Sequence, residues 1–168
     1  MTPPASSGVP AVEALHASTS PTLNEYVTAA SEYVRLSSGL NASQKKTAQI
    51  RLSAGLGKVL VEELRARSPR IRAEAGERNV SGALRVAQAD VTELHPLDGL
   101  RLAIEIKPVN LAVGRAIWNR FGDIRMFAVN LHLKFPFAVL GGVLAIPTYE
   151  ETGSGEHVTR RQTVALIS

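Results

Sequence analysis

Apolar residues recur at helical spacing through the first third of the chain. Leu23, Val27, Ala30 and Val34 step by about one turn, and Thr22 is placed to cap their helix. Ser38, Gly39 and Asn41 break that pattern. Ile50, Leu52, Leu56, Val59, Leu60 and Leu64 then mark a longer helix over 43–67, opened by Ser43 as N-cap and closed by Pro69. Gly55 and Gly57 weaken it but leave room for a close neighbour. Residues 68–82 are charged and glycine-containing and read as a loop, with at most a short strand. Ahead of these elements, residues 1–22 place Pro3, Pro4, Pro10 and Pro21 among Ser, Thr, Ala and Gly, the composition of a disordered tail.

The period then drops to two. Residues 83–93 alternate like a strand, His95-Pro96-Leu97-Asp98-Gly99 reads as a turn, and 100–107 (LRLAIEIK) alternate again. Asp98-Gly99 suits a two-residue hairpin loop. Leu100, Leu102, Ile104 and Ile106 are expected on one face, towards the core. Arg101, Ala103, Glu105 and Lys107 are expected on the other. Pro108 stops the strand. Ile117, Phe121, Ile124, Ala128 and Leu131 then form the buried stripe of a helix over 111–134, with Trp118 expected in the packing. Pro136 ends it, and 137–146 (FAVLGGVLAI) reads as a fully buried strand. A polar loop over 148–157 follows, and 158–168 begins a further element that is expected to continue in a longer protein. The predicted fold is mixed α/β: a 1–22 tail, a 23–42 helix and linker, and a 43–168 domain with a central mixed sheet flanked by helices.

The hairpin carries the candidate chemistry. With Asp98-Gly99 as its loop, Leu97 lies opposite Leu100 and Asp90 opposite Lys107. Glu105 is then the diagonal neighbour on the same face. Two carboxylates close together call for a cation. Mg²⁺ takes one or two protein carboxylates and keeps water for the rest of its shell. Asp98 is the alternative first acid if Pro96 distorts the hairpin.

Asp90, a fourteen-residue spacer and Glu105-Ile106-Lys107 resemble the signature of the PD-(D/E)xK, restriction endonuclease-like nucleases. The order helix, hairpin, helix, strand over 43–147 resembles that family's core. The resemblance implies a Mg²⁺- or Mn²⁺-dependent deoxyribonuclease. Asp90, Glu105 and the Ile106 carbonyl would hold the metal, and Lys107 would orient the attacking water and stabilise the transition state. It further implies an auxiliary acid from the preceding helix, Glu62 or Glu63, and phosphate contacts from Arg115, Asn119 and Arg120 on the following one.

Charge agrees with a polyanion as partner. Net charge is +4, and residues 43–88 carry ten Lys or Arg against four Glu. The absence of cysteine excludes disulfides, thiolate zinc sites and a cysteine nucleophile. His16, His95, His132 and His157 lack zinc spacing. No signal peptide or membrane-length apolar run is present, and a cytoplasmic location is expected. A restriction or defence endonuclease acting on DNA is the leading expectation, as a possible homodimer that cuts both strands. A repair or recombination nuclease of the same fold and an inactive DNA-binding module are the alternatives.

Overall fold

Reciprocal side-chain caps open the two longer N-terminal helices. The computed structural model describes residues 8–110, 113–146, 149–151, 157–159 and 165–167. Helix α1 spans Pro10–Ala17, α2 spans Leu23–Leu36, and a 3-10 turn at Ser37–Gly39 leads to α3, Ala42–Arg67. Thr22 caps α2, accepting from the Glu25 N–H while the Glu25 carboxylate accepts from the Thr22 N–H. Asn41, not Ser43, caps α3, in the same reciprocal arrangement with Gln44. That capping box starts the helix two residues earlier than the apolar pattern suggested.

The strands are β1 (Glu74–Ser81), β2 (Val86–His95), β3 (Gly99–Pro108) and β4 (Val139–Ala145), with helix α4 (Val113–His132) between β3 and β4. The sheet is mixed. β1, β2 and β3 form an antiparallel meander, and β4 pairs parallel to β3. Three short strands follow: β5 (Tyr149–Glu151) pairs with β6 (His157–Thr159), and β7 (Ala165–Ile167) joins the free edge of β4. The protein is thus α/β, with helices first, then a β-meander, then helix and strand. None of its helices is long and apolar enough to cross a membrane, among the described residues.

Two cores sandwich the sheet. One joins α1, α2 and α3 to Val91, Ile104, Ile106 and Val143. The other joins Phe127 and Leu131 of α4 to Val80, Ala87, Ala89, Leu100 and Ala103. The face of β3 expected to be polar is therefore covered by α4, which takes Ala103 to full burial.

Several expectations are corrected. Residues 10–17 are not a disordered tail: Val12 and Leu15 are buried, and Leu15 lies so close to Gly55 of α3 that any side chain there would collide with it. Glu13 pairs with Arg51, and Lys58 Nζ donates to the carbonyls of His16 and Ser18 at 3.0 and 2.8 Å, which closes the end of α1. A proline-rich composition hid an anchored helix. Residues 74–81 form a full strand, which the sequence conceals because all but Val80 are exposed on this sheet edge. The hairpin closes through three residues, with His95 opposite Gly99. A register shift at Glu93/Leu94 places an extra residue, Arg101, in β3. That shift turns Leu100 to the α4 side, away from Ile104 and Ile106. Trp118 is 77% exposed, not packed, and β4 starts at Val139 because Phe137 sits fully out in the preceding turn.

Leu15→Ala tests the anchoring of α1. Its side chain is 2% exposed, so truncation should cost about 2–4 kcal/mol of unfolding free energy in urea denaturation. A change within about 0.5 kcal/mol would mean that α1 is not part of the core.

Candidate active site at the splayed hairpin

The β2–β3 ladder runs to Val91 opposite Ile104, so the next residue of β2, Asp90, comes level with Glu105 rather than Lys107. Beyond that point the backbone ladder stops. The Ile106 N–H, which a carbonyl of β2 would ordinarily take, instead donates to Asp90 Oδ2 at 2.6 Å. Side-chain alternation breaks at the same residue. Ala87 and Ala89 pack in the α4-side core, whereas Val91, two residues on, packs in the other. Directly across, β1 bulges between Ala75 and Arg78, where Gly76 takes a φ of 132° that a residue with a side chain rarely adopts. The strands splay here, and the gap is lined by acids.

Glu105 is 8% exposed. One of its carboxylate oxygens contacts Lys107 Nζ at 2.5 Å. The other, Oε2, is buried with no hydrogen-bond partner. A buried carboxylate oxygen without a protein partner calls for a cation, a water or a proton to complete it. Burial pushes the Asp90 carboxyl above its ordinary value. The Ile106 N–H and the Lys107 charge oppose that shift, and the Glu105 and Glu77 charges add to it. In an antiparallel pair the N–H and C=O of one residue face the same neighbour, so the Ile106 carbonyl is directed to the Asp90 side.

No three His, Asp or Glu side chains converge tightly enough to hold an ion by themselves, among the described residues. The donor set that remains is two carboxylates, one backbone carbonyl and open space for water. That set fits Mg²⁺ or Mn²⁺, which retain several waters, and does not suit zinc.

Two clefts meet at this point, both bordered by Glu77, Asp90 and Lys107. One, of about 340 Å³, also takes in Glu105 and the side chains of Arg85 and Gln88. The other, of about 380 Å³, runs towards α3 past Gln49, Ser53 and Ile106 and reaches Arg120 of α4. Lys107 and Pro108 stand at the carboxyl end of β3, whose neighbour β4 is parallel. Sites in α/β sheets commonly lie at such strand ends.

Asp98 stays in the turn, 3.2 Å from His95 Nδ1 and borders neither cleft. Glu62 pairs with Arg65 at 3.3 Å. Neither Glu62 nor Glu63 borders a cleft; α3 contributes Gln49 to Lys58, a turn or more nearer its N-terminus. The additional acid beside Asp90 is instead Glu77 of β1, a residue hidden in what reads as a charged loop. Arg120 borders the larger cleft and pairs with Asp123 at 3.1 Å. Asn119 is exposed and borders neither. The Arg115 side chain lies outside the described residues. Comparison of the chain with known protein families, characterised proteins and solved structures returns no match.

Asp90→Asn gives a signed test. A carboxyl whose pKa is raised by folding contributes its stability below its unfolded pKa, and that stability is lost as pH rises through the folded value. The metal-free wild type should therefore lose stability as the pH climbs out of the acid range. Asp90→Asn, whose amide oxygen can still accept from Ile106, should lose less and melt higher at neutral pH in EDTA. Mn²⁺ at about 100 times its Kd should stabilise the wild type by about 2.7 kcal/mol and leave the variant unchanged. A variant that melts lower in EDTA would mean that Asp90 is a net stabiliser of the metal-free fold.

Proposed function

We propose that the protein is a metal-dependent deoxyribonuclease of the PD-(D/E)xK, restriction endonuclease-like type. The observation that carries this reading is the meeting of Asp90, Glu105 and Lys107 at the splayed end of the hairpin, with Glu105 Oε2 buried and unpartnered. Asp90, Glu105 and the Ile106 carbonyl are the residues that would hold Mg²⁺ or Mn²⁺. When bound, the metal supplies neutralisation of phosphate charge and a more acidic water.

The chain's own groups do the rest. The Ile106 N–H fixes the Asp90 carboxylate in one orientation, so its second oxygen is presented ready-placed. Glu105 holds the Lys107 ammonium at the mouth of both clefts. From there Lys107 donates to a non-bridging phosphate oxygen as negative charge builds on it, and orients the water aligned for attack. Arg120 is exposed and sits where a flanking phosphate would pass the larger cleft. Glu77 keeps the acid cluster unfavourable without a cation, and so strengthens metal capture.

The net charge of +4 supports a polyanionic substrate. A restriction or defence role is the leading assignment, with repair or recombination as the alternative within the same chemistry.

Plasmid incubated with Mg²⁺ should be cut, and EDTA should abolish cutting. Lys107→Ala should lower the cleavage rate by about 10²–10³-fold while binding of DNA persists. Discrete fragments would favour the restriction role, and nicks or a preference for branched substrates the repair role. Metal-independent cutting, or wild-type rates in Lys107→Ala, would refute the assignment.

A further inference from the structure

Helix α4 is apolar on two opposite faces. One face, with Ile124, Phe127 and Leu131, is buried against the sheet. The other carries Trp118, Met126, Val129 and Leu133, which are 77, 48, 51 and 62% exposed. Together with Gly122 these positions step by four, four, three and four. At 3.6 residues per turn they fall within one arc of roughly 80°. Arg120 and Asp123 lie well outside that arc, Arg125 stands at its border, and Arg115 falls in line with it one turn before Trp118. Just past the helix, Phe137 and Val139 are also exposed, at 98 and 64%.

A single exposed leucine needs no explanation. A helix-long apolar stripe on the side away from the core does. We propose that this face is an interface between two copies of the chain, with α4 packed antiparallel on α4 about a twofold axis near Arg125 and Met126.

The stripe is self-complementary in that arrangement, as a twofold contact requires. Trp118 of one copy faces Leu133 of the other. Gly122 faces Val129, so a missing side chain receives a branched one. Met126, the most adaptable apolar side chain, sits at the centre. Trp118 stands at one end of the stripe, and at the centre Met126 faces Arg125 of the other copy, whose alkyl stem packs while its guanidinium reaches solvent.

The area is sufficient. A large aromatic buries about 150–250 Å², so Trp118 and Phe137 with the four aliphatic residues offer on the order of 600 Å² per copy. Two copies then cover about 1,200 Å², the lower bound for a specific, stable pair. The inference does not depend on the nuclease reading.

Trp118 is the single tryptophan of the chain, so it reports on this face without background. Light scattering after size exclusion over a dilution series should give the mass of a dimer at high concentration and of a monomer at low. The Trp118 emission should move from a buried to an exposed position with the same midpoint. Met126→Lys, which sets like charge against Arg125 of the other copy, should raise the dissociation constant by roughly tenfold or more (1.4 kcal/mol per tenfold), whereas Met126→Leu should dimerise like the wild type. Circular dichroism of both variants checks that the fold persists. A wild type that stays monomeric at high micromolar concentration would overturn the proposal. So would a dimer indifferent to Met126→Lys, which would place the interface elsewhere. A buried Trp118 emission in a monomer would mean that the chain covers its own stripe, and would also overturn it.

Discussion

The hydrogen bond from the Ile106 N–H to Asp90 Oδ2 is the contact on which the site's architecture depends. A β-ladder that continued past Val91 and Ile104 would satisfy that N–H with backbone and keep β2 and β3 together. The carboxylate takes the bond instead. The ladder can therefore end inside the sheet without an orphaned donor, and the strands can part at that point. The bulge in β1 and the broken alternation at Asp90 fall at the same level. Irregularities of this kind re-aim side chains, and here they gather acids from three strands: Glu77, Asp90 and Glu105.

Electrostatics gives the arrangement its direction. Asp90 is half-buried with a carboxyl pushed up by burial, while Glu105 is nearly enclosed with one oxygen unmet. Lys107 satisfies one of the four carboxylate oxygens and the Ile106 N–H a second. A structural ion pair would be built to closure, because a partly satisfied buried cluster is worse than an apolar one. This cluster leaves Glu105 Oε2 without a protein partner.

Much of this was legible in the sequence, for identifiable reasons. The clean two-residue period of 100–107 placed Glu105 and Lys107 on a strand, on one face, and the helical stripes on either side placed the flanking layers. The register was off by two because the turn takes three residues and Arg101 is bulged, which sets Asp90 level with Glu105 instead of Lys107. Leu100 left its expected face, because it lies beyond the bulge. Glu77 was invisible because an exposed edge strand leaves no hydrophobic period to read. The α1 helix was hidden for a different reason: its anchor is a notch at Gly55, and only tertiary contact reveals that a glycine is filled by a leucine 40 residues away. Trp118 misled because α4 is apolar on both faces, and a period cannot say which face meets the sheet.

Anomalous diffraction from crystals soaked in Mn²⁺ shows where the ion binds. A peak is expected between the Asp90 carboxylate, the Glu105 carboxylate and the Ile106 carbonyl, with Lys107 alongside. A Mn²⁺ peak elsewhere with this position empty, or a Glu105 satisfied by protein groups alone, would contradict it.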